Sequence, residues 1–347
     1  MAAHALALPS STMPGAPENA RATARPLSVD LAGIHLRSPA MLAAGTAGTL
    51  DEMGDVVDLS RVGAVVTKSI TRLPRDGNAT WRIMPSRAGL GMLNAIGLAN
   101  VGVDAFVRDY APQVARVPTV VVGSISGFSV EDFVAVAAAM DAIEAMPAVE
   151  LNVSCPNVKK GCEFGADPAL LAELVREVRA VLPRTRLFVK LSPIAMADIA
   201  RIARAAIEPG GSPSGPNQRP GADALCVANT VPAMQIDVRT RKPSLSRGSG
   251  GLSGPSIHPI AVRLVHEAYV GVCRDSRTPI IGIGGVTTWE DAAEFILAGA
   301  TAFEIGTALF ADPRTPVTIA AKLTQWVRDQ GCASITELVG AVAMPGA

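Results

Sequence analysis

The chain is 347 residues long, 49% hydrophobic and 18% charged, and its 31 basic and 31 acidic side chains cancel. A neutral, apolar-rich composition carries no electrostatic footprint for nucleic acid or an anionic membrane surface, and no run approaches the ~20 apolar residues of a membrane-spanning helix. The N-terminus lacks a basic segment leading into an apolar core and a cleavage site, so a soluble, cytoplasmic protein without membrane insertion is expected.

The five cysteines (Cys155, Cys162, Cys226, Cys273 and Cys332) are odd in number and show no CxxC pairing, which points to free thiols in a reducing compartment, no metal and no iron–sulfur cluster of the chain's own. The length accommodates one α/β barrel of ~250 residues with extensions.

Residues 1–27 are rich in Ala, Pro, Ser and Arg without periodicity and read as a poorly ordered extension. A transit peptide is the alternative, and Glu18 with the weak amphipathicity counts against it. From residue 28 to 347 the pattern is that of a single domain. Apolar, often β-branched runs fall at 39–45, 62–68, 119–124, 148–154, 186–192, 222–229, 278–284 and 301–307. Stretches of helical spacing follow most of them, at 130–146, 167–182, 197–207, 259–273, 289–299 and 316–329. Near-continuous apolar strands alternating with helices call for a parallel sheet, and eight repeats favour closure into a (β/α)8 TIM barrel. Long polar segments at 69–100, 155–166 and 230–256 follow the second, fourth and sixth strands, which places them on the face where such barrels build active sites. The irregular segment 208–221 precedes the sixth strand and belongs to the opposite face.

Candidate chemistry collects at the strand ends. GIGG (282–285) and IGTALF (305–310) place glycines after the seventh and eighth strands, where backbone N–H groups meet anions; each alone is a chain turn, but together they favour a phosphate. No GxGxxG follows the first strand, so a single-phosphate cofactor fits better than a dinucleotide. Lys68 and Lys190 both end apolar strands, where a lone lysine snorkels but two heading for one mouth suit a ligand. Asn94, Asn152, Asn157 and Asn229, with Thr230, either cap turns or offer donors and acceptors to a planar polar ring. Among them stands Cys155, in a polar, proline-turned loop that suits an acid/base. A thiol of pKa ~8.5 serves as a base once its site lowers that value or the reaction runs at raised pH. Cys162 is the rival thiol in the same loop, while Cys226 and Cys273 read as inert and buried.

The segments GMLNAIGLAN, ELNVSCPNVKKG, VKLSP, ANTVPAMQIDVRTRKP, GGLSGPSIHPIAVRLV, IIGIGGV and GTALF occur in the order found in the class 1 dihydroorotate dehydrogenases, and from about residue 28 onward the chain resembles that family. The resemblance implies an FMN-containing barrel that oxidises dihydroorotate to orotate in pyrimidine biosynthesis. Asn94, Ala95, Ile96, Gly97 and Leu98, with Asn152, Asn157, Asn229 and Thr230, would hold the orotate ring and carboxylate, with Lys68 near both substrate and flavin. Ala44, Lys68, Ser69, Asn152, Lys190, Ala228 and Gly254 would bind FMN, and Gly284, Gly285, Gly306 and Thr307 its phosphate. Lys190 would lie at the flavin's pyrimidine edge, where a cation stabilises the anionic reduced form. Cys155 would take the C5 proton while the C6 hydride passes to the flavin; class 2 enzymes are expected to use serine there.

Two positions depart from the family pattern. Ser124 aligns where an asparagine usually contacts the flavin, and Ala44 where a serine often stands. NAIGL, NVKKG and the long RTRKP-to-GGLSGP loop resemble the NAD-linked 1B catalytic subunit. That subclass implies a homodimer core in a heterotetramer with a flavin and iron–sulfur partner subunit; fumarate is the alternative acceptor. Two other readings remain: a flavin-dependent dihydropyrimidine dehydrogenase, and a non-catalytic barrel that binds a nucleotide phosphate.

Overall fold

The computed structural model describes residues 25–87, 89–154, 164–210 and 220–345. Cys155, Asn157 and Cys162 lie outside the described residues, as do most of the N-terminal extension and positions 211–219.

Eight parallel strands close into a barrel in sequence order: β1 (Ala40–Leu42), β2 (Ala64–Val66), β3 (Val120–Ile125), β4 (Ala148–Asn152), β5 (Arg186–Lys190), β6 (Ala224–Val227), β7 (Ile280–Ile283) and β8 (Ala302–Ile305), which pairs back with β1. Each falls on an apolar run anticipated from sequence, β3 extending one residue past its run to Ile125, so the (β/α)8 architecture is as expected. The strands are buried on both faces, which is why their sequences run apolar without strict alternation.

The helices pack outside. They are α1 (Val130–Asp141), α2 (Pro168–Ala180), α3 (Ile199–Ile207), α4 (His258–Ala268), α5 (Trp289–Ala298) and α6 (Thr315–Asp329). In α3 the buried set is Ile199, Ile202, Ala203, Ala206 and Ile207, one stripe at helical spacing. Ser129 caps α1 by accepting from the Asp132 N–H, and Asp167 caps α2 by accepting from Ala169 and Leu170. The helical pattern from 130 onward was expected to continue to 146 but ends at Asp141. There the Arg184 guanidinium donates to the carbonyls of Asp141, Ile143, Glu144 and Met146, satisfying groups that another helical turn would have used. No helix among the described residues is long and apolar enough to cross a membrane.

The segments 69–100 and 230–256, read from sequence as loops, pair with each other. Ile83–Pro85, Met92–Asn94, Gly250–Ser253 and Val231–Ala233 form a four-stranded antiparallel sheet over the barrel mouth, with Asn94 opposite Gly251. Gly251 is required there because a Cβ would lie 2.0 Å from Thr230 Oγ1. At the other end an N-terminal hairpin (Val29–Leu31 with Ile34–Leu36) closes the barrel near Arg186, the first residue of β5.

That closed end is held by a buried ion pair. Arg179 Nη1 lies 2.8 Å from Asp223 Oδ2, with side-chain exposures of 1% and 2%. The same guanidinium donates to the Leu182 and Thr185 carbonyls, and Asp223 also accepts from the Leu187 N–H. A buried pair of this kind contributes little over an apolar replacement, but removing one partner strands the other charge. Asp223→Ala should therefore cost about 3–5 kcal/mol in chemical denaturation; a loss below about 1 kcal/mol would show that water reaches Arg179 and screens it as on a surface.

Candidate active site

A cavity of about 530 Å³ opens at the carboxyl ends of the barrel strands, within the range of small-molecule sites. Its floor is the barrel mouth and its roof the four-stranded sheet. Of the residues named from sequence, Ala44, Lys68, Ser69, Asn152, Lys190, Ala228, Asn229 and Thr230 line the walls. Asn94, Ala95, Ile96, Gly97, Leu98 and Gly254 line the roof side, and Gly284, Gly285, Gly306 and Thr307 close one end. Residues from seven strand ends and both insertions are thus brought to one place.

Ser124 is the exception among the described candidates. It has no exposed surface, and its Oγ lies 2.8 Å from Ser69 Oγ and donates to Glu150 Oε1 at 3.4 Å. Instead of reaching the cavity it stands behind Ser69, because the side chain of β3 at this level points into the barrel interior.

The asparagines meet as a network. Asn229 Nδ2 donates to Asn152 Oδ1 and to Ser154 Oγ, each at 3.1 Å, while Asn229 Oδ1 accepts from the Thr230 N–H. Asn94 Nδ2 donates to the Gly251 carbonyl across the roof. Gly97 and Leu98, at φ 77° and 57°, turn the chain sharply into the cavity. That turn is held from behind by Asn78, which donates to the Ala95 carbonyl, and by Arg75, which donates to the Gly97 carbonyl.

The two lysines differ. Lys190 is 6% exposed and its ammonium lies 3.3 Å from Glu150 Oε1 and 3.1 Å from Glu304 Oε2. Burial works against its charge, but the two carboxylates more than reverse this and hold its pKa above the ordinary lysine value. Lys68 forms no ion pair among the described residues, and burial, with Arg82 nearby, pushes its pKa down. It projects beside Gly45, where a Cβ would stand 3.6 Å from Nζ.

Sequence reasoning missed Arg75, Asn78 and Arg247 on the cavity wall, the Phe128 ring 4.6 Å beneath the Arg75 guanidinium, and the carboxylates of Glu150 and Glu304. The arginines sit in irregular segments with no periodicity to mark them. Glu150 and Glu304 had a signal: each interrupts an apolar strand, as Lys190 does. Cys226 is buried as expected, but its side chain faces this charged cluster, and burial with the two carboxylates pushes its thiol well up.

The glycine end is rigid. Gly285 has φ 71°, and a Cβ there would lie 2.7 Å from the Gly254 carbonyl and 2.8 Å from His258 Cβ. His258 Nδ1 is 2.8 Å from the Gly284 carbonyl, tying the start of α4 to this turn. Beyond it, Asp291 accepts from the Thr287 and Thr288 N–H groups and the Thr287 hydroxyl at 2.8–2.9 Å, completing a capping box at α5.

Burial pushes the Asp291 carboxyl up, but the Thr287 and Thr288 donors outweigh burial and leave it below its ordinary value. Its folded pKa is depressed, so its contribution is present above the unfolded value of about 3.9 and lost as pH falls through the folded one. Asp291→Ala should lower stability near neutral pH by about 1 kcal/mol, with the Tm values of variant and parent converging as the pH drops below that range. A Tm gap that stays constant into acid would assign the effect to packing rather than to the charged cap.

Comparison with known proteins places this geometry in a family. A family model described as dihydroorotate dehydrogenase matches residues 26–327. The dihydroorotate dehydrogenase B (NAD(+)) catalytic subunit of Trichlorobacter lovleyi is 43% identical over 317 residues, 91% of this chain and 98% of that protein. A protein of the same name from Desulforudis audaxviator is 44% identical over 322 residues, covering 92% and 98%. A Solibacter usitatus protein provisionally named dihydroorotate dehydrogenase A (fumarate) is 43% identical over 317 residues, covering 90% and 97%. The cavity at the mouth of this barrel is therefore that of a family member: the chain belongs to the dihydroorotate dehydrogenase family.

Proposed function

We propose that residues 28–347 form the catalytic domain of an FMN-dependent enzyme that oxidises (S)-dihydroorotate to orotate in pyrimidine biosynthesis in the cytoplasm. The observation that carries this reading is a single cavity with an asparagine network at one side and a glycine-turned anion cradle at the other.

The residues present fit a flavin mononucleotide. Gly285 leaves no room for a side chain, whereas a Cβ at Gly306 would meet nothing closer than 3.5 Å, so its backbone lies open to the cavity. Gly284, Gly285, Gly306 and Thr307 would hold the phosphate. Ala44, Lys68, Ser69, Asn152, Lys190, Ala228 and Gly254 would hold the ring system and ribityl chain, with Ser124 acting through Ser69. When bound, the flavin supplies the acceptor for the C6 hydride of dihydroorotate.

The protein's own residues do the rest. Asn94, Asn152, Asn157, Asn229 and Thr230 hold the pyrimidine ring, and the 95–98 turn closes over it. Lys68, with its pKa lowered and no partner carboxylate among the described residues, is matched to the substrate's anionic end. Cys155 takes the C5 proton. Relatives named as B-type, NAD(+)-linked catalytic subunits support NAD+ as the final acceptor, reached through a partner subunit; the assembly would be a heterotetramer built on a homodimer.

The purified protein should be yellow or take up FMN, and dihydroorotate should bleach it under anaerobic conditions. Cys155→Ala should keep the flavin and lose oxidation about 10²- to 10⁴-fold. Failure to bind FMN would overturn the reading. Faster turnover of dihydrouracil than of dihydroorotate would reassign the substrate, and a near-normal Cys155→Ala rate would move the base to Cys162. NAD+ reduction should appear only with the co-expressed partner; direct turnover with fumarate would reassign the acceptor.

A further inference from the structure

Three ionisable side chains meet inside the barrel with charges that do not balance. Glu150 on β4 and Glu304 on β8 are 0% and 1% exposed, and Lys190 on β5 bridges them. Fully ionised, the cluster would carry a net negative charge in a nearly dry interior, where an uncompensated ion is costly. Among the described residues no second cation contacts either carboxylate. The remaining neighbours cannot supply one: Ser124 on β3 is a hydroxyl that donates to Glu150, and Cys226 on β6 is a thiol. Oxygens of the two carboxyl groups and the Cys226 sulfur all lie within 4.8 Å of one another.

The two carboxyl groups are not equivalent. Glu150 receives hydrogen bonds from Lys190 and Ser124, as suits a carboxylate. Glu304 accepts from Lys190 through Oε2, but its buried Oε1 has no hydrogen-bond partner among the described residues. An ionised carboxylate would leave that oxygen bare, whereas a neutral acid places a hydroxyl there that can turn toward Glu150.

We propose that Glu304 is held as the neutral acid near pH 7, its proton directed toward Glu150, so that the cluster is one ammonium and one carboxylate with no net charge. Burial first, and then the negative charge of Glu150, push the Glu304 carboxyl up, in agreement with this assignment. The Cys226 thiol, also pushed up by burial, stays neutral.

Lys190 and Glu304 both line the cavity floor. Glu304 is then a positioning residue. It holds the Lys190 ammonium from β8 while Glu150 holds it from β4, and its protonation decides whether that ammonium faces the cavity against one negative charge or two. This consequence rests on the flavin reading proposed above; the stored proton does not.

Infrared spectra of the full-length protein labelled with ¹³C-glutamate, recorded with and without flavin, read the proton directly. A label-sensitive carbonyl stretch of a protonated carboxyl should be present at pH 7 and absent in Glu304→Gln. It should also be lost in Glu150→Gln, where Lys190 and Glu304 form a neutral pair with Glu304 ionised. Absence of the band in the parent protein, or its survival in Glu304→Gln, would overturn the proposal. In the flavin-loaded protein, Glu304→Gln exchanges one neutral group for another and should leave the flavin midpoint potential unshifted at pH 7. A positive shift would mean that a negative charge had been removed and would also overturn it. A protein that takes no flavin would refute the functional reading while the infrared band still decides the proton.

Discussion

Closing eight parallel strands into a barrel imposes the constraint on which the rest of this molecule depends. Every strand opens at the same mouth, and every inward side chain must be accommodated in a small, dry interior. The lower end meets that demand with apolar packing and the buried Arg179–Asp223 pair. Near the mouth the interior turns polar: Lys190 stands in register between Asn152 on β4 and Cys226 on β6, its charge answered by Glu150 on β4 and its ammonium held from across the barrel by Glu304.

The same physics separates the two lysines at the cavity. Lys190 has its counter-charge built in at Glu150 and is held from the other side by Glu304, so a bound molecule meets a fixed donor. Lys68 has no counter-charge among the described residues, and its lowered pKa expresses the cost of keeping an ammonium half-buried beside Arg82. With Arg75 and Arg247 also on the wall, the cavity has unspent positive charge. That bias favours an anionic occupant, and the Gly284–Gly285 turn adds backbone donors at the far end.

The barrel was legible in the sequence because its signal is local: eight apolar runs, each near the length of a strand, separated by helical stripes such as that of Ile199, Ile202, Ala203 and Ala206. The position of the site was legible for the same reason, since long polar segments followed strands. The roof was not. Its strands are three or four residues long, and Asn94 finds Gly251 across 157 positions, a pairing no window of sequence contains. Glu150 and Glu304 were visible as charges inside apolar runs, but only register shows that they share one lysine. Ser124 was placed on the cavity by likeness to a family position, whereas its buried side chain on β3 meets Ser69 and Glu150 instead. Cys155 was legible as an acid/base from its polar, proline-turned loop and Asn157 as a polar group beside it, while their particular roles toward a pyrimidine come from the family likeness; both lie outside the described residues.

The roof also couples stability to chemistry. The 94–98 turn that faces the cavity is fixed by Asn78 and Arg75 from its own insertion and by Gly251 from the loop after β6. Those two insertions leave the barrel at β2 and β6, on opposite sides of the mouth, so they reach each other only once the strands between them have closed. Loop-closure entropy opposes so distant a pairing in an open chain. The cavity-facing turn is therefore a late product of barrel closure, and anything that loosens the barrel, including a lost charge partner at its closed end, takes the roof with it.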